Sequence, residues 1–237
     1  MKVKRSIWSS QITVKIPSDK PIVFWDTCAL VDIMRIPQME REKFNIHTLE
    51  KYEEIAKWIR DGKLISVTSE LVRTEFDKHF ANEIKKIEDQ TKRYQEEIKT
   101  LSAYMQNSKK QNRVKTAIDL LECCKRCEAT ANTICKNTIA IKQEVVFMTA
   151  ADYRVRNYEK PSGGKESYKD CYLWATFLKL VSELHQTKDA FFFTSNYKDF
   201  GKGGKSRFNE DLNNECPAMA HGCLDINELH GKLQRIV

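Results

Sequence analysis

Short uninterrupted apolar runs alternate with longer stretches of helical spacing along this chain. "PIVFW", from Pro21 to Trp25, is bounded by a proline and ends in Asp26, which fits a buried strand. "KLISVTS", from Lys63, predicts a second strand set off by the Asp61-Gly62 turn, and "AFFFTS", from Ala190, predicts a further one. Between the first two, residues 39–60 place Ile55 and Trp58 among charges at helical spacing. Residues 70–105 are amphipathic without glycine or proline, which predicts one helix or a pair, and residues 112–143 read as helix again. "VVFMTAADYRVRNYEK", from Val145, predicts a short extended piece entering a helix that stops at Pro161. After the Gly163-Gly164 loop, "KDCYLWATFLKLVSEL", from Lys169, is apolar on nearly every side and predicts a buried helix. The tail from Glu215 predicts one more short strand and a closing helix.

Strands alternating with helices imply right-handed crossovers and a mostly parallel sheet covered on both faces. Residues 77–144 exceed what one crossover needs. They read as a helical insertion within a single domain spanning residues 1–237, because no linker composition sets them apart.

Composition narrows the class. At 237 residues with 41% hydrophobic content, the chain can fill a real core. Lys and Arg number 40 against 33 Asp and Glu, a formal +7 that favours polyanionic partners. The basic amino terminus lacks the apolar core of a signal peptide and no apolar run approaches membrane-spanning length, so a cytoplasmic protein without membrane contact is expected. Eight cysteines scattered through helical and strand patterns are expected as free thiols.

The stretch "AFFFTSNYKDF", residues 190–200, turns from an apolar strand into hydroxyls, an amide and a carboxylate. A turn explains this, since Asn and Asp bond to their own backbone. So does a ligand site, since open parallel sheets bind ligands outside the carboxyl ends of their strands. Four acids fall where such a fold gathers them. Asp26 ends the first strand, Glu75 lies on the helix after the second, Asp170 sits early in the apolar helix, and Asp199 follows the last strong strand. Singly, each has a structural reading; for Asp170 it is the favourable dipole of a helix amino terminus.

On "IVFWDTCAL" around Asp26, "SVTSELVRTEF" around Glu75, "GGKESYKDCYLWA" around Asp170 and "FFFTSNYKDF" around Asn196 and Asp199, the chain resembles the PIN-domain nucleases, in a bacterial PIN-like branch. The match covers residues 20–80 and 145–225. The resemblance implies a three-layer α/β/α sandwich that binds Mg²⁺ or Mn²⁺ and cuts RNA as an endoribonuclease, often as a toxin or defence effector. Asn196 stands where many relatives carry aspartate, which leaves Asp199 to supply the charge. Hard divalent cations want oxygen ligands. Two of them can activate a water and steady the leaving oxygen at phosphorus. Asp26 is expected as the central ligand, with Glu75, Asp170 and Asp199 completing the shells and Asn196 a weaker ligand. Thr194 or Ser195 is expected to hydrogen-bond Asp26 and fix its rotamer.

Phosphate contacts are expected from the basic loops flanking the acids: Lys202, Lys205 and Arg207 on one side, Arg154, Arg156, Lys160 and Lys165 on the other. Each also reads as a solvated surface charge. "PSGGKES" is no Walker motif, because Glu159 and Glu166 stand where glycine and a hydroxyl residue are required. Cys123, Cys124 and Cys127 have helical spacing and no nearby histidine, so they read as buried thiols before zinc ligands. Asp32 and Glu166 read as capping or surface charges before an approach to the site or an extra ligand, and Tyr153 and Tyr158 as packing residues before stacking platforms for bases. A catalytically decayed nucleic-acid-binding or scaffold module, a nuclease for single-stranded DNA and a small-substrate phosphohydrolase stand as alternatives. An antitoxin or other regulator and a second copy of the chain are the expected protein partners.

Overall fold

The structure is a computed structural model that describes residues 19–38, 46–102, 108–162, 167–183, 189–204 and 207–237. Its centre is a five-stranded sheet: β1 (Ile22–Trp25), β2 (Ile65–Ser69), β3 (Thr138–Ile141), β4 (Ala190–Phe193) and β5 (Ala220–Cys223). The strands lie in the order β3-β2-β1-β4-β5 and every pairing is parallel, with Phe24 opposite Val67 on one side and Phe192 on the other. Strands buried on both faces read as continuous apolar runs, which is why "IVFW" and "AFFF" show no alternation.

Helices cover both faces of the sheet. Helix α1 (Thr27–Arg35), α2 (Ile46–Arg60), α3 (Glu70–Ser102) and α4 (Ser108–Lys136) pack on one another, and α9 (Ile226–Leu233) packs against α2. Helix α5 (Val145–Arg156) packs on α6 (Tyr168–Glu183), with the short α7 (Tyr197–Phe200) and α8 (Glu210–Glu215) following β4. The chain winds outward from β1 through β2 to β3, then crosses back to β4 on the far side of β1. With right-handed crossovers, that reversal puts the second set of helices on the opposite face. The fold is thus an α/β/α sandwich.

Three local readings are corrected. Within 77–144, expected to be helical throughout, α4 ends at Lys136 and residues 138–141 form edge strand β3. The buried series Cys127, Ala131, Ile134 and Cys135 runs on into Ile139 at helical intervals, so the period does not reveal a four-residue strand. The extended piece expected at Val145 is therefore helix; the strand lies just before it. A nine-residue helix, α1, also fills the space after Asp26, where the apolar pattern alone predicts no element.

An aromatic cluster surrounds Trp174 of α6. Trp174, Phe177, Phe192, Phe200 and Phe208 meet with ring centroids 5.0–6.5 Å apart. Phe208 lies so flat on β5 that a Cβ at Gly222 would come within 2.3 Å of its ring, so only glycine fits there. Polar groups in the sheet are paired: the Trp25 indole N–H donates to Ser66 Oγ at 2.9 Å, and Ser66 shares a hydrogen bond with Thr138.

Candidate active site

Neighbouring strands β1 and β4 send the chain off in opposite directions, which opens a crevice between their carboxyl ends. This switch point is where open α/β sheets bind ligands. Asp26 stands at one lip and Thr194 at the other, tied by the Asp26 N–H donating to the Phe193 carbonyl at 3.0 Å. Asp26 is only 1% exposed, and its carboxylate is held by three donors. The Thr27 N–H reaches Oδ1 at 2.6 Å, which caps α1, while the Thr194 hydroxyl and the Cys28 thiol reach Oδ2 at 2.7 and 2.9 Å. Three donors on one carboxylate lock its rotamer.

Glu75 comes to the same place from the second turn of α3. Its Oε2 accepts from the Thr27 hydroxyl and pairs with the Lys169 ammonium, whose Nζ also lies 3.8 Å from Asp26 Oδ1. Burial alone would raise the Glu75 pKa, but Lys169 and Thr27 outweigh it and hold the carboxyl below its usual range.

Asp170, the neighbour of Lys169 in the first turn of α6, is in the opposite condition. Burial first, then the Asp26 and Asp199 charges, push it up from the usual 3.8 to about 7, against the pull of Lys169 and the Asn196 amide. Asp199 is fixed by Asn196 on both sides: the Asn196 amide donates to Asp199 Oδ2 at 2.9 Å and its oxygen accepts the Asp199 N–H at 3.3 Å. Asn196 is thus the N-cap of α7, and its oxygen faces backbone. Of the two hydroxyls expected on Asp26, Thr194 makes the bond. Ser195 instead supports Asp32 and Cys28. Burial, with Asp26 and Glu83 adding to it, raises the Asp32 pKa, so this acid also belongs to the electrostatics of the crevice. Among the described residues, no three His, Cys, Asp or Glu side chains stand close enough to wrap an ion in this arrangement.

Thr27, Cys28 and Lys169 went unrecognised in the sequence. The available signal was adjacency: Thr27 follows Asp26 and Lys169 precedes Asp170. Consecutive residues on a helix end differ by about 100° in direction and can reach different walls of one cleft.

The basic residues separate into groups. Arg154 is committed internally, its guanidinium bonded to the Lys160 carbonyl and paired with Glu215, with 13% of its side chain exposed. Arg156 is 76% exposed and pairs with Asp152. Lys202 and Arg207 are exposed and share Glu210. Lys165 and Lys205, with Glu166, lie outside the described residues. All eight cysteines are free thiols, and no described helix is long and apolar enough to cross a membrane.

No curated protein matches the chain. No solved structure matches it either. A comparison with protein families matches residues 23–200 to the PIN domain, a span that runs from β1 through α7 and takes in Asp26, Glu75, Asp170, Asn196 and Asp199. With three quarters of its length matched and a parallel α/β/α sheet to carry the match, the chain belongs to the PIN-domain family of nucleases.

Proposed function

We propose that the protein is a divalent-metal-dependent endoribonuclease whose centre is formed by Asp26, Glu75, Asp170 and Asp199. One observation carries the reading: at the sheet's switch point the carboxylate of Asp26, 1% exposed, and that of Glu75 lie close enough to share one ammonium, and Asp170, beside that ammonium on α6, is raised by burial and by the Asp26 and Asp199 charges. Buried like charges are retained where a cation offsets them. The donor set fits Mg²⁺ or Mn²⁺, since all four acids offer the hard carboxylate oxygens that these cations prefer. Cys28 does not alter this, because burial and Asp26 keep its thiol protonated.

When bound, such a cation supplies a water acidified for attack and positive charge at the phosphoryl oxygens. The chain's own residues do the holding. Thr194 and Cys28 orient Asp26 by bonding one oxygen, and Thr27 orients Glu75. Asn196 is assigned to positioning Asp199, its amide replacing the negative charge that many relatives place at this point with a donor between two acids. The exposed cations Lys202, Arg207 and Arg156 are assigned to the phosphate backbone, where they add affinity without sequence selection. The family resemblance extends the reading to a toxin or defence effector working in the cytoplasm under an antitoxin or similar regulator.

The test is incubation of purified protein with mixed RNA and single-stranded DNA in Mn²⁺ or EDTA, followed by sequencing of the ends. RNA cleavage in Mn²⁺ that stops in EDTA is expected. Equal cutting of single-stranded DNA would broaden the substrate, and binding of RNA without cleavage of either polymer would favour a decayed binding module.

A further inference from the structure

The centre already contains a cation. Lys169 lies between two of the acids, paired to Glu75 Oε2 and 3.8 Å from Asp26 Oδ1, with 35% of its side chain exposed. Burial would lower its pKa, but Asp26, Glu75 and Asp170 together raise it, so the amine is held charged. A protonated amine has three donors and no lone pair, so it can neutralise carboxylates but cannot share a metal's ligand shell. Glu75 Oε2 carries both the Thr27 hydroxyl and this ammonium. A hydroxyl can rotate and remain beside a ligating oxygen, whereas an ammonium in that place repels an incoming divalent ion.

We propose that Lys169 is a resident counter-cation that competes with the divalent metal for Glu75 and Asp26, and so sets the metal concentration at which the site fills. The inference rests on the metal-centre reading above. Without metal, Lys169 keeps Asp26 and Glu75 together by offsetting their repulsion, while its pull on Asp170 is outweighed by burial and by the Asp26 and Asp199 charges. For metal to ligate Glu75, the ammonium must turn away on its flexible four-carbon stem toward the open side of the crevice. The two states are mutually exclusive at one carboxylate oxygen, so they are antagonistic, and the antagonism is reciprocal. Lys169 is a positioning residue in this scheme, acting through the acids it pairs.

Mn²⁺ binding followed by electron paramagnetic resonance, without substrate, tests this on the full chain. Lys169→Met is expected to bind Mn²⁺ at least about fivefold more tightly than wild type, the lower end of couplings between sites. It should also melt lower in EDTA, because Asp26 and Glu75 then repel unopposed. Lys169→Arg, which keeps the charge, should bind Mn²⁺ close to wild type. Equal or weaker binding by Lys169→Met overturns the proposal, as does tighter binding by Lys169→Arg to the same degree. Asp26→Asn separates the two levels of inference: loss of Mn²⁺ binding there keeps the metal centre, so a failed Lys169→Met result sinks the counter-cation alone. Unchanged binding in Asp26→Asn sinks both. Should Lys169→Met not fold, wild type decides by itself. The Lys169 ammonium ¹⁵N resonance, protected from exchange in EDTA, must lose that protection on Mg²⁺ saturation; a resonance that stays put overturns the exchange.

Discussion

One turn of α6 separates two opposite kinds of interior. Trp174 is sealed among Phe177, Phe192, Phe200 and Phe208, and its indole N–H finds Glu215 Oε2 at 3.0 Å. Asp170, four residues earlier on the same helix, faces Asp26 and Asp199 and is driven up to about 7. The aromatic side is complete within the chain, since every ring has partners and the polar tip is satisfied. The acidic side calls for a partner that the chain supplies only in part, through Lys169. A helix that is firmly seated by its middle can hold a strained first turn, and that division is how a fold sets function beside stability.

The sharpest break of this contrast is catalytic. Asp26→Asn and Asp199→Asn are each expected to lower cleavage by about 10³-fold or more, as loss of a charge-stabilising group at a reaction centre does. RNA affinity in EDTA, measured by filter binding, should stay within about threefold, because backbone contacts use other groups. Full cleavage by Asp26→Asn would remove the site.

The aromatic side should respond in stability instead. Trp174→Ala is expected to lose about 3–5 kcal/mol. Gly222→Ala should lose about 1–3 kcal/mol, because its methyl meets the Phe208 ring. Urea unfolding followed by circular dichroism measures both. A neutral Gly222→Ala would show that Phe208 can lift from β5.

The acidic side should gain where the aromatic side loses. Unfolded, Asp170 titrates near 3.8; folded and free of metal, near 7. The native state therefore holds this proton between those values. Stability in EDTA falls as pH rises from about 4 to 7, and the penalty of the buried charge is fully present above that. Asp170→Asn removes it, so at pH 8 in EDTA the variant should melt about 5 °C above wild type, with the gap closing by pH 5. Mn²⁺ should reverse the order at pH 8, because wild type, with all four carboxylates, gains more binding free energy from a native-state ligand than the variant does. A variant that melts lower at pH 8 in EDTA would place Asp170 outside the strained group.

The smallest effect belongs to the exposed loop. Lys202→Ala with Arg207→Ala should flatten the salt dependence of RNA binding by about 0.7 in log–log slope for each phosphate that is no longer neutralised. Part of that is already offset by Glu210, which both cations share. An unchanged slope would route RNA over other basic surface.

The sequence by itself determined the buried strands β1, β2, β4 and β5, the apolar helix α6, the long α3, and the four acids that follow or open these elements. Runs such as "IVFW" and "AFFF" have one physical use, burial on both faces of a sheet, so they were legible alone. Edge strand β3 was not, because its four residues continue the helical period of α4 and only pairing with Ser66–Ser69 makes them a strand. Tertiary structure also decided which neighbour each acid has. Strand order β2-β1-β4 sets Asp26 against Thr194, and α3 swings Glu75 onto Thr27 and Lys169. Composition counts Lys169 as one of 40 cations; only the fold closes it over two carboxylates, since pairing across 94 and 143 residues of chain is a property of packing and not of local pattern.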